Sequence, residues 1–102
     1  MAVLLILTMP EGVPAGLLEE VQAEMDVKGD PPAGLIAHVH HEHEGRVRVV
    51  DIWTSREAYD TFSEARLTPA MGRVAERHGM DLAAAPQPAL EFFETSDPVI
   101  GR

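Results

Sequence analysis

Residues 34 to 53 read GLIAHVHHEHEGRVRVVDIW. Two runs that mix apolar and polar residues flank Glu44-Gly45. A glycine at the second position of a two-residue loop permits the positive φ that tight hairpin turns require. The stretch therefore predicts a strand over 34–43, a turn, and a strand over 46–53. Counting outward from the turn places His43 opposite Arg46, His40 opposite Val49 and Val39 opposite Val50. It further places His38 opposite Asp51, Ala37 opposite Ile52 and Ile36 opposite Trp53.

Side chains alternate with period two, so this register divides the hairpin into two faces. One carries Leu35, Ala37, Val39, Val50 and Ile52, and is expected to lie beneath helices. The other carries Ile36, His38, His40, Val49, Asp51 and Trp53, apolar walls mixed with titratable groups, which is the composition of a binding pocket. His41 and His43, opposite Arg48 and Arg46, read as rim residues.

The flanks complete the arrangement. Residues 2–8 are apolar at nearly every position, as in a central strand covered on both sides. Leu17, Leu18, Val21 and Met25 make one stripe of an amphipathic helix over 14–26, with Pro14 in its first turn and Lys28-Gly-Asp-Pro-Pro32 breaking it. Thr54-Ser-Arg-Glu57 has the form of a capping box and starts a second helix with Ala58, Phe62 and Ala65 on its core side. Pro69 kinks or restarts that helix, Met71, Val74, Ala75 and His78 continue it, and Gly79 ends it. A linker over 83–88, a last strand over 89–94 and a tail with Pro98, Val99 and Ile100 complete the chain.

The order β-α-β-β-α-β is the ferredoxin-like α+β arrangement, with both helices on one face of a four-stranded antiparallel sheet. The first and third strands are apolar on both sides, so the second face also needs a cover. A second copy of the chain, sheet against sheet, is the simplest one, and the even-numbered residues of the hairpin would then point into the cavity between the sheets.

The chain's 102 residues make one domain, 1–102, of a size that gains from oligomerisation. Seventeen acidic residues against eight basic ones give a net charge of −9, which disfavours nucleic acid or an anionic membrane as partner. The absence of cysteine removes thiolate chemistry and is compatible with a reducing compartment. The apolar start is too short to span a bilayer and has no basic residue before Lys28, so a cytoplasmic protein is expected.

His38 facing Asp51 suggests a general base whose imidazole is oriented by a carboxylate across the ladder, or else a satisfied polar pair in a buried sheet. With His40 the pair would make a two-histidine, one-carboxylate set for a divalent ion, a reading ranked below the metal-free one. Trp53 serves either as a stacking wall or as interface core. Tyr59 offers a hydroxyl to a substrate oxygen or packs within the helix beside Phe62.

The chain resembles the dimeric α/β-barrel superfamily, and within it the antibiotic-biosynthesis-monooxygenase-like branch. The resemblance spans nearly the whole chain. It is carried by the apolar first strand, Gly34-Leu-Ile-Ala-His38, Arg48-Val-Val-Asp-Ile-Trp53, Ser55-Arg-Glu-Ala-Tyr59 with Phe62, and Arg66-Leu-Thr-Pro69. It implies a homodimer that binds a hydrophobic small molecule. In the cofactor-independent quinone-forming monooxygenases of that branch, a Trp ending the third strand, a Tyr six residues on and an Arg along the second helix surround an aromatic polyketide. Trp53, Tyr59 and Arg73 fall at those positions, whereas Val49 stands where those enzymes carry a pocket Asn. His78 lies too far beyond Trp53 to match the iron-binding His of the haem-degrading branch. The expectation is a monooxygenase-like enzyme needing no cofactor, with His38, Asp51 and Tyr59 catalytic and Ile36, His40, Val49, Trp53, Phe62 and Arg73 contacting substrate. An isomerase, cyclase or lyase using the same base, a non-catalytic ligand-binding dimer, and a His/Asp metalloenzyme remain open.

Overall fold

A computed structural model describes residues 1–13, 15–81, 87–99 and 101. Pro14, residues 83–86 of the expected linker and Ile100 lie outside the described residues. The chain runs β1 (Ala2–Thr8), α1 (Ala15–Met25), β2 (Leu35–His43), β3 (Arg46–Trp53), α2 (Arg56–Phe62), a π-helical turn (Ser63–Leu67), α3 (Thr68–Arg77) and β4 (Ala89–Thr95). The strands form one antiparallel sheet in the order β2-β3-β1-β4, the ferredoxin-like topology expected from the sequence.

The hairpin turn forms as Glu44-Gly45 requires, with φ of 51° and 77° at the two positions. Every expected pair from His43 opposite Arg46 through Ala37 opposite Ile52 is present. Beyond Ala37 the ladder shifts: Leu35, not Ile36, faces Trp53, and Ile36 is the extra residue of a bulge. Gly34 next to the bulge has a φ of +88°, and a Cβ there would stand 2.6 Å from the Ala58 Cβ. Only glycine lets the start of β2 approach α2 this closely.

Which face the helices cover is the reverse of the expectation. Leu5, Trp53, Val21, Met25, Tyr59, Phe62, Ala70 and Val74 form one buried cluster, so the helices lie on the side that carries His38, Val49, Asp51 and Trp53. The opposite side presents Leu4, Ile6, Val50 and Ile52 with Val39 and Phe93, the last two 54 % and 46 % exposed. Two features impose this choice. The aromatic stripe of α2 needs Trp53 as its partner, with ring centroids 5.6 Å from Tyr59 and 5.2 Å from Phe62. The buried charge on that face, Asp51, finds two hydrogen-bond donors there, which makes its burial tolerable.

The second helix also differs in detail. Its N-cap is Ser55, whose hydroxyl accepts the Ala58 amide at 3.1 Å, one residue later than the expected Thr54. Before Pro69 the helix widens into a π turn in which the Thr68 amide bonds the Ser63 carbonyl. Pro69 has no N–H to give, and its ring crowds the carbonyl four residues back, so a widened turn ahead of it relieves both problems. The extra residue rotates the downstream helix by about 100°, one residue's share of a 3.6-residue turn. Ala65, expected in the core, is therefore exposed, and Leu67 packs against the cluster instead. At the end of α3 the amides of Gly79 and Met80 bond the carbonyls of Glu76 and Ala75 at 3.1 and 2.8 Å, a Schellman closure around Gly79.

Ion pairs fasten α1 to α3. Arg73 donates to Glu24 at 2.9 Å, Arg77 reaches both Glu20 and Glu24, and His78 lies 2.8 Å from Glu20. The His78 hydrogen bond on Glu20 and the Arg73 hydrogen bond on Glu24 hold both carboxyls below their ordinary value of 4.5. A depressed carboxyl stabilises the fold while ionised, so this contribution is present above about pH 4.5 and is lost as pH falls through the lowered values. The thermal midpoint is expected to drop as pH falls below about 4.5, and to drop less in a Glu20→Gln, Glu24→Gln double variant. Parallel falls in the two proteins, followed by circular dichroism, would show that this network contributes nothing.

Candidate active site

Between the sheet and the helices lies a cavity of about 460 Å³. Its floor is made by Leu5 and Trp53, each 1 % exposed, with Val74 of α3 above them. Exposed Glu11 and Gly12 of the β1–α1 loop, with Met80 and Leu90, mark its open end. The lining is aliphatic and aromatic apart from a few polar side chains, the usual make-up of a site for a hydrophobic small molecule.

Those polar groups are connected. Asp51, 5 % exposed, accepts from His38 Nδ1 at 2.6 Å through Oδ1 and from the Trp53 indole at 3.1 Å through Oδ2. Gln22 of α1 donates from Nε2 to His38 Nε2 at 3.0 Å. The result is a chain Gln22, His38, Asp51, Trp53 along one wall, with the Nδ1–H tautomer of His38 set by its two partners. His38 bridges two environments: its side chain is 23 % exposed, while the Asp51 carboxylate behind it is shut away from water.

Tyr59 stands on the cavity wall in α2. Burial pushes its hydroxyl above the ordinary value of 10, and the charges of Asp51 and Asp60 push further, against a hydrogen bond from Ser63 one turn on and the charge of Arg56. The phenol therefore keeps its proton at working pH and serves as a hydrogen-bond donor. Its ring meets Phe92 edge-on at 5.6 Å, and the Arg56 guanidinium covers the outer side of Phe92 at 3.6 Å.

Six of the nine residues expected at the site thus gather around one cavity: His38, Asp51, Tyr59, Val49, Trp53 and Phe62. Three do not. Ile36 leaves the cavity wall because it is the bulged residue, and Leu35 takes its place. His40 sits at the exposed end of the same strand face, lining an outer groove rather than the cavity, with its ring centroid 6.5 Å from that of His38. Arg73 points at Glu24 on the outer side of the helices, consistent with the rotation introduced by the π turn. The described residues contain no group of three His, Asp or Glu side chains placed to hold a metal ion.

One polar contributor, Gln22, went unrecognised in the sequence. Gln22 follows Val21 and sits four residues after Leu18, so it borders the apolar stripe of α1 and was legible as the polar group that helix brings to the sheet. Met9, Met25, Met71 and Met80, four of the five methionines, line the cavity. Such flexible thioether walls adapt to ligands of differing shape.

Neither a family model nor a curated protein matches the chain. Solved structures do match it along nearly its whole length. Rv0793 from Mycobacterium tuberculosis is 18% identical with a TM-score of 0.64, over 98% of this chain and 100% of that one. SnoaB, a cofactor-independent oxygenase from Streptomyces nogalater, is 15% identical with a TM-score of 0.61, over 96% of both chains. A monooxygenase from ActVA-Orf6 of Streptomyces coelicolor, in complex with nanaomycin D, is 17% identical with a TM-score of 0.57, over 99% of this chain and 93% of that one. The chain thus shares the ferredoxin-like α+β fold of these solved structures. No helix of the described residues is long and apolar enough to cross a membrane.

Proposed function

We propose that the protein is a cofactor-independent oxygenase that binds a hydrophobic, hydroxylated aromatic molecule in the cavity between sheet and helices. The observation that carries this reading is the 2.6 Å contact between His38 and a buried Asp51 on the wall of a mostly apolar chamber. The oxygenases among the structural neighbours agree with it. His38 removes a proton from the activated carbon or phenol of the substrate, and Asp51 stabilises the imidazolium that forms. The Tyr59 hydroxyl donates to the substrate oxygen, where negative charge collects. Dioxygen adds to the carbanion, and the resulting peroxide takes the proton back from His38. Loss of water then leaves a carbonyl, so one CH2 and one O2 become C=O and H2O. Trp53, Phe62 and the aliphatic walls keep bulk water away from the carbanion.

Isomerisation, cyclisation and C–C cleavage begin with the same deprotonation and need no oxygen. An oxygen electrode with anthrone therefore separates the readings: one O2 consumed per anthrone, with anthraquinone formed, is the expected result. Conversion without oxygen uptake would replace the oxygenase reading, and the absence of any turnover would favour a binding protein. We also assign to this reading a cytoplasmic homodimer in which the apolar sheet face bearing Leu4, Ile6, Val39 and Phe93 packs on its copy. The area of half-exposed apolar side chains on that face is what a second sheet would bury.

A further inference from the structure

We infer that Gln22 is the positioning residue that keeps His38 a proton acceptor, and that His40 holds the Gln22 amide in the orientation this requires. The inference rests on the proposed role of His38 as base. A base needs a lone pair on one ring nitrogen, and the Asp51 carboxylate 2.6 Å from Nδ1 takes the hydrogen there, which leaves Nε2 for that task. The Gln22 amide nitrogen lies 3.0 Å from His38 Nε2, and an NH2 group can only donate, so Nε2 must present its lone pair. A second proton on the ring would meet that donor head-on.

The amide's orientation is fixed by a second acceptor. His40 Nδ1 lies 3.4 Å from the same Gln22 nitrogen, so the two hydrogens of the NH2 are directed at two imidazoles. Turning the amide over would set its oxygen against both lone pairs. This gives His40 a task although it stands outside the cavity. The pair also occupies a partition: Gln22, Leu35 and His38 line both the inner cavity and an outer groove between the end of α1 and β2. The remaining ionisable groups around the ring are Asp51 beneath it, Tyr59 on the cavity wall, and Asp26 and Lys28 in the outer groove. When substrate enters, the amide can rotate toward groove water and release Nε2 to the reacting proton.

The test reads the ring itself. In protein labelled with 15N-histidine, the His38 nitrogens report both tautomer and proton count. In Gln22→Glu a carboxylate replaces the donor, and the proton affinity of His38 is expected to rise about tenfold or more. In Gln22→Ala, where water takes the amide's place and can accept from Nε2–H, the affinity moves in the same direction by less. The wild-type ring should show its single hydrogen on Nδ1 above the titration. An unchanged affinity in Gln22→Glu overturns the inference, as does an unchanged or lowered one in Gln22→Ala. Retained turnover in His38→Ala would instead remove the base and leave this titration untouched, so the two failures are distinguishable.

Discussion

Trp53→Ala is expected to lose about 4 kcal/mol or more of folding free energy. Trp53 is 1 % exposed and joins sheet, α2 and cavity floor, and truncating a large buried aromatic to alanine ordinarily costs about 3–5 kcal/mol. Its indole N–H also serves the buried Asp51 carboxylate, and leaving that oxygen without a donor adds about 1–3 kcal/mol. Against a total of about 5–15 kcal/mol for a domain, the variant would be marginal at room temperature. Trp53→Phe keeps most of the ring and removes only the donor, so its loss should lie near the second figure alone. Urea unfolding followed by circular dichroism measures both, since the chain has no other tryptophan to report by fluorescence. A Trp53→Ala variant within about 1 kcal/mol of wild type would refute this packing.

His38→Ala is expected to lower turnover of an oxidisable phenol by about 10²- to 10⁴-fold, the usual worth of a positioned general base. Its stability should fall by about 1–3 kcal/mol, because the buried Asp51 Oδ1 loses its donor even though removal of the partly exposed imidazole opens no sealed cavity. Asp51→Asn should act on the same step, and the double variant should be scarcely worse than His38→Ala, since the two groups work as a unit. Sedimentation should return twice the 11.1 kDa chain mass for wild type and His38→Ala alike, which separates loss of chemistry from loss of assembly. Unchanged turnover in His38→Ala would dismiss the imidazole as base.

The register of the hairpin was readable because the turn dictates it: two residues with positive φ at Glu44-Gly45 leave one way to pair the strands. That register by itself sets His38 opposite Asp51. What the pattern of the hairpin could not decide was which face meets the helices, since Val47, Val49 and Trp53 are as apolar as Val50, Ile52 and Val39. The polar pair made its face look like an interface. In the folded chain the same pair lies beneath the helices, with Asp51 buried, because Trp53 and Gln22 supply the missing hydrogen bonds. Two further misses share a cause, a single inserted residue. A bulge at Ile36 and a π turn before Pro69 each shift the face that neighbouring residues present, so Ile36 and Arg73 left the positions that even spacing assigned them. Gly34 and Pro69 are the marks each irregularity leaves in the sequence.

Inverting the faces moved the pocket from between two subunits to within one, and methionine methyl NMR distinguishes the two locations. On titration with 1-naphthol, the methyl resonances of Met9, Met25, Met71 and Met80, which line the cavity, should shift together while that of Met1 stays in place. If those four resonances remain still while residues of the open sheet face such as Ile6 and Val39 respond, the ligand binds on the opposite side of the sheet and the site assigned to His38 and Asp51 is wrong.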